Sequence, residues 1–221
     1  MLLKIIVVNF CIALTSCNII IKPNKTDSFA SGYIFVQGDS IPAKNYIPYA
    51  LDLQSKFNGS LWVALAEFPL DTPEPLLIKI IMDSIFKELN KEGFNYTEST
   101  PFYFGGHSLG GIILQDYLFE HFKKLPFKFD AVILEGSFIV RKNLDKSSNP
   151  KFPPVLTLGA ELDGLARVTR MAESYYFNDL MTVKDHTYTI VIPGMNHYQF
   201  CGEGNPPSNV VKVFKCYNCL I

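Results

Sequence analysis

Residues 104–111 read Phe104-Gly105-Gly106-His107-Ser108-Leu109-Gly110-Gly111. The residues before them, Pro101 to Phe104, are aromatic and strand-like. Those after, Ile112 to Phe119, carry apolar side chains at helical spacing. A glycine cluster between two such segments marks a sharp strand-to-helix turn. Within it, Gly106-His107-Ser108-Leu109-Gly110 is a G-x-S-x-G motif in the strand-turn-helix setting that the motif requires. Its flanking positions must be small because strand and helix approach closely around a strained serine. A phosphate cradle fits poorly, since no lysine follows as in a P-loop and no G-x-G-x-x-G occurs.

Working outward, the chain alternates between strand-like and helix-like stretches. Strands are expected at Tyr33 to Gln37, Leu61 to Phe68, Phe102 to Phe104, Ala131 to Leu134, Val155 to Leu158 and Thr189 to Ile192. Helices are expected at Tyr46 to Phe57, Leu76 to Leu89, Leu109 to Phe122 and Ala166 to Tyr176. Ile78, Ile81, Met82, Ile85 and Phe86 form one apolar face of the second helix. Such alternation implies crossover units, a largely parallel sheet and an α/β fold. Repeats, low-complexity tracts and a domain linker are absent, so residues 31–221 read as one domain.

In a parallel sheet, reactive side chains belong at the carboxyl ends of strands. Ser108 lies there, and its hydroxyl needs a base to become a nucleophile at neutral pH. Of the four histidines, His107 adjoins the serine but is not aimed at its hydroxyl. His121 and His186 sit in charged surroundings and read as surface residues. His197, in Pro193-Gly194-Met195-Asn196-His197, follows the last strand and is the candidate base. Its acid partner is expected at Asp163, followed by Gly164, with Glu161 and Glu135 as alternatives.

With Ser108, Asp163 and His197 in that order, the chain resembles the α/β-hydrolase superfamily over about residues 33–200. The stretch Pro154 to Leu158 leading to Asp163 resembles the family's acid-bearing strand, and Gly194 to His197 its histidine loop. The resemblance implies a three-layer fold with a mostly parallel sheet of about six strands, because little chain precedes Tyr33. It also implies an oxyanion hole from the backbone N–H of Leu109 and of Gly38 or Asp39, with any carboxylate at Asp39 turned away from the developing charge. Only a short polar loop, Arg141 to Asn149, stands where many relatives carry a lid, so no large lid domain is expected and the site should be open. The short stretch after His197, with a helix stub at Val210 to Phe214, reads as a truncated end.

On this resemblance the expected reaction is hydrolysis of a neutral small-molecule carboxylic ester, including lipid esters and thioesters, without metal or other cofactor. An acyltransferase on the same machinery and a non-catalytic binding protein are the alternatives. Tyr46, Tyr49, Phe138, Met195, Tyr198 and Phe200 are candidates to line the substrate site.

Composition agrees with a folded enzyme. Of 221 residues, 48% are hydrophobic and 19% charged, the balance of a globular core. Twenty basic residues against 21 acidic ones, with no cationic run, give no basis for binding nucleic acid or an anionic membrane. Residues 1–17 have a Lys4, then an apolar run from Ile5 to Leu14, then small residues. That is a secretory signal peptide, too short to span a bilayer. Sequons at Asn24, Asn58 and Asn95 match an exported glycoprotein. Leu14 to Cys17 also resembles a bacterial lipoprotein signal, so secretion and a lipid anchor on Cys17 both stay open. Of five cysteines, Cys11 and Cys17 fall in the leader. A disulfide from Cys201 to Cys216 or Cys219 is expected in an exported chain, whereas the lone C-x-x-C of Cys216 and Cys219 lacks the partners of a zinc site.

Overall fold

The computed structural model describes residues 18–25, 29–144, 152–180 and 187–202. The expected leader, His186, Cys216, Cys219 and the helix stub at 210–214 lie outside them.

Among the described residues, seven strands form one sheet. In chain order the elements are β1 (Ile19–Ile21), β2 (Ala30–Val36), α1 (Ile47–Lys56), β3 (Ser60–Ala66), α2 (Ile78–Lys91), β4 (Pro101–His107), α3 (Leu109–His121), β5 (Lys128–Glu135), β6 (Val155–Ala160), α4 (Val168–Leu180) and β7 (Thr187–Ile192). The sheet order is β1-β3-β2-β4-β5-β6-β7. Only β1 runs antiparallel, against β3, and every other pair is parallel. The sheet thus has one strand more than expected. Ile19, Ile20 and Ile21 pair with Leu65, Ala64 and Val63 on the sheet edge, before the segment where the first strand was expected.

The central strands explain the apolar runs. In β2 and β3 nearly every side chain is buried, because helices cover both faces of a parallel sheet. One face packs Ile34, Val36, Phe102 and Phe104 against α2 and α3, through Ile81, Met82, Ile85 and Leu114. The other packs Tyr33, Phe35, Leu61 and Val63 against α1 and the turn before it, through Tyr46 and Ala50. The helix α2 buries Ile78, Ile81, Met82, Ile85 and Leu89, close to the face read from its periodicity.

The strand order reverses between β2 and β4. From β2 the chain crosses to β3 on one side, and from β3 it returns past β2 to β4 on the other. The loops leaving β2 and β4 therefore diverge, and the crevice between them is where open α/β sheets bind ligands. Gly38 and Ser108 stand at its two lips.

Phe102 anchors this arrangement. It is fully buried, stacks on Phe127 at 3.9 Å between ring centroids, and lies against Gly32 so closely that any side chain there would strike its ring. Substitution Phe102→Ala is expected to lower unfolding free energy by about 3–5 kcal/mol, measured by urea denaturation, because a rigid two-sided core cannot collapse into the void.

Candidate active site

The turn between β4 and α3 is a single residue wide. Gly105 and Gly106, expected to belong to the turn, instead extend β4 in register with Phe35 and Val36, and Gly110 and Gly111 lie in the first turn of α3. The reversal falls on Ser108, at φ 52° and ψ −123°, a region that L-residues occupy only under constraint. The glycines make room for it. A Cβ on Gly106 would lie 2.7 Å from the Gly111 backbone, and one on Gly110 would lie 2.1 Å from the Gln37 carbonyl oxygen. The N–H of Ser108 donates to the Glu135 carbonyl at 2.9 Å, which ties the turn to β5. Ser108 itself is half-buried.

His197 and Asp163 meet beyond the neighbouring strands. The loop after β6 carries Asp163, and the loop after β7 carries His197 in a 3-10 turn, His197–Cys201, capped by Asn196. His197 Nδ1 lies 2.7 Å from Asp163 Oδ2, and both side chains are buried. Asp163 Oδ1 accepts the N–H groups of Leu165 and Ala166, each at 2.8 Å. With the carboxylate so fixed, Nδ1 of His197 carries the proton and Nε2 is left as the basic nitrogen. Gly136 completes the contact between serine and histidine loops: a Cβ there would lie 3.1 Å from His197 Nδ1 and 3.2 Å from His107 Cδ2.

The alternative acids have other partners. Glu161 is exposed and accepts the Gly194 N–H at 2.8 Å, so it steadies the histidine loop. Glu135 is buried and accepts a 2.6 Å hydrogen bond from Tyr49 Oη, whose own oxygen lies 3.0 Å from Tyr33 Oη. Burial pushes the Glu135 carboxyl up to about 7, against the lowering effect of the Tyr49 bond. Arg170, near enough in sequence to serve Asp163, pairs with Glu173 instead.

Two further expectations need correction. Tyr46 does not line a substrate site: it has no exposed surface, and its hydroxyl accepts the Gly38 N–H at 2.9 Å and lies 2.8 Å from His107 Nδ1. The same bond withdraws Gly38 from the oxyanion hole, because its N–H is already occupied. The Asp39 carboxylate accepts Thr72 Oγ1 at 2.9 Å, which holds it on the loop following β3. Phe138 and Met195 are half-buried, while Tyr198 and Phe200 are buried in the turn around His197.

His107, set aside on sequence, sits in the middle of the site. It is fully buried, its Nε2 lies 3.0 Å from the His197 carbonyl oxygen, and its ring is 4.6 Å from that of His197. Burial, and then the proximity of His197, push its imidazole down to about 3, so it is neutral at physiological pH. The motif gave its position, but its partners lie far along the chain. His121, read as a surface residue, is half-buried and stacks on Tyr117.

The sequon asparagines Asn24, Asn58 and Asn95 are all exposed. Cys201 is buried with its Sγ 2.8 Å from the Tyr198 carbonyl, and its expected partners lie outside the described residues. Among the described residues no cluster of His, Cys, Asp or Glu could hold a metal, and no helix is long and apolar enough to cross a membrane.

A sequence profile described as the alpha/beta hydrolase family matches residues 32–206. No curated protein matches the chain in sequence. Among solved structures, a protein described as a bacterial heroin esterase aligns with a TM-score of 0.60 at 13% identity, covering 84% of this chain and 73% of that one. A predicted CIB-like hydrolase from Thermoplasma acidophilum aligns at 0.58 and 14% identity, covering 92% and 93%. The esterase PE8 aligns at 0.56 and 13% identity, covering 92% and 98%. At these identities the likeness is one of fold.

The raised Glu135 carboxyl has a consequence for stability. The folded chain binds that proton more tightly than the unfolded one, so the contribution of Glu135 is present below its ordinary value of 4.5 and is lost as pH rises through about 7. The gain in stability of Glu135→Gln over the native chain is therefore expected to grow between those limits, to roughly 3 kcal/mol at pH 8 by urea denaturation.

Proposed function

The chain belongs to the alpha/beta hydrolase family, and from that premise we propose that it is a serine hydrolase of carboxylic esters acting through Ser108, His197 and Asp163. One observation carries the reading. A buried His197–Asp163 pair at 2.7 Å, with the carboxylate capped by two backbone N–H groups, stands at the same sheet edge as a serine held at positive φ. A binding protein gains nothing from the strain at Ser108, whereas a nucleophile gains exposure at the head of a helix. Solved structures that share the fold include ones described as esterases, which favours an ester over other acyl substrates.

Nε2 of His197 takes the Ser108 hydroxyl proton as Oγ bonds to the ester carbonyl carbon. Asp163 keeps Nδ1 protonated and stabilises the imidazolium that forms. The oxyanion is placed in the crevice between β2 and β4, where the Leu109 N–H at the start of α3 points from the positive end of a 13-residue helix. With Gly38 engaged by Tyr46, the Asp39 N–H is the second donor. Collapse of the intermediate expels the alcohol, which takes the proton from His197. Water then enters by the same route, attacks the acyl-Ser108 carbonyl and releases the acid.

The apolar leader and the three exposed sequon asparagines support export, with the ester met outside the cytoplasm.

Steady-state hydrolysis of p-nitrophenyl esters of graded acyl length tests the proposal. Turnover is expected to vanish in Ser108→Ala and to fall about 10^4-fold in kcat for Asp163→Asn, which leaves the imidazole in the wrong tautomer. Equal rates in native chain and Ser108→Ala would reject it. Added alcohols that yield a new ester faster than free acid would identify an acyltransferase instead.

A further inference from the structure

Three hydrogen bonds run in series under the site and join the loop after β2, the end of β4 and the loop after β7. The Gly38 N–H, after β2, donates to Tyr46 Oη at 2.9 Å. Tyr46 Oη lies 2.8 Å from Nδ1 of His107, the last residue of β4. His107 Nε2 lies 3.0 Å from the His197 carbonyl oxygen, after β7. The donors follow from the chemistry. A carbonyl only accepts, so Nε2 of His107 carries the proton. A neutral imidazole then has a bare Nδ1, which accepts the Tyr46 hydroxyl proton. Every bond in the series runs in one direction, from the β2 loop to the histidine loop, and His107 and Tyr46 are fully enclosed.

We propose that Tyr46 and His107 are positioning residues that hold the main chain of His197, and through it the imidazole, in register with Ser108 and Asp163. The proposal rests on the reading of His197 as the base, and extends it to two residues that touch no substrate. The His107 Nε2–H anchors the backbone of His197 while Asp163 holds its ring, so His197 is fixed at both its main-chain carbonyl and its Nδ1. Tyr46 fixes the tautomer that makes this possible and holds Gly38, whose neighbour Asp39 supplies the second oxyanion donor. The elbow, the oxyanion loop and the base are thereby set by one buried series. His107 must stay neutral for its Nδ1 to accept from Tyr46, and its ring lies 4.6 Å from that of His197, where a second cation would oppose the imidazolium formed in the reaction.

The test compares His107→Gln, His107→Asn and Tyr46→Phe in the full chain. A glutamine amide reaches about as far as Nε2 and can donate to the His197 carbonyl; an asparagine amide reaches only as far as Nδ1. For p-nitrophenyl acetate, kcat is expected to fall roughly 10- to 100-fold in His107→Asn with KM within about twofold, and His107→Gln is expected to recover most of it. Tyr46→Phe is expected to lose kcat in the same sense. A second readout does not need turnover: the downfield proton resonance of the His197–Asp163 hydrogen bond should be sharp in the native chain and in His107→Gln, and broadened or shifted in His107→Asn and Tyr46→Phe. If that resonance is unchanged in all variants, or if asparagine and glutamine at 107 lose kcat equally and in proportion to melting temperature, the relay is rejected and His107 is a packing residue. An intact, variant-sensitive resonance in a chain that hydrolyses no ester would reject the esterase reading and leave the relay standing.

Discussion

Everything at the reactive edge of this protein depends on one backbone conformation, that of Ser108. A serine at φ 52° and ψ −123° resists the local preference of the chain, and it persists only where the surroundings leave no alternative. Here they leave none. The strand before it is paired on both sides, with β2 and β5, and the helix after it lies so close to the β2 backbone that Gly110 admits no side chain. The sheet and α3 share in burying Phe104, Leu114 and Leu118, so relaxing the turn would separate a packed core. The strain is thus maintained by apolar burial remote from the hydroxyl it presents.

Beneath that edge lies a polar seam within an otherwise apolar interior. Tyr46, His107 and Glu135 are each buried, and each has hydrogen-bond partners that make burial tolerable. Their electrostatic effects oppose one another. Lowering of the His107 imidazole makes stability fall as pH drops from 6.5 towards 3, while raising of the Glu135 carboxyl makes it fall as pH climbs from 4.5 to 7. The two ranges overlap between 4.5 and 6.5, where the two contributions oppose each other. An imidazole held neutral at His107 also keeps fixed positive charge away from His197, the group whose charge changes in the proposed reaction.

Much of this was legible in the sequence, and the reasons for success and failure are physical. Ser108, Asp163 and His197 could be placed because a parallel sheet sends strand ends to one edge and because a G-x-S-x-G turn has few other uses. β4 is longer than its sequence suggests because glycine reads as a breaker, yet Gly105 and Gly106 remain extended where the Tyr33 and Phe35 side chains and the Gly111 backbone fill the space their side chains would need. The edge strand at Ile19 was missed because three isoleucines next to an apolar leader carry no period, and their partner in β3 lies more than forty residues away. Tyr46 and His107 are 61 residues apart, and only the strand order brings them together. A tyrosine near a strand end looks like a wall of a pocket until the partners of its hydroxyl are known. Gly38 was displaced from the oxyanion hole for the same reason, since the competitor for its N–H comes from the turn before α1.

The measurement that tests the account most directly is reaction of the folded chain with a fluorophosphonate, followed by peptide mapping of the adduct by mass spectrometry. The account predicts a single phosphonyl group on Ser108, formed rapidly in the native chain and not in His197→Ala. A folded sample that takes up no label, or carries it on a serine other than Ser108, would contradict it.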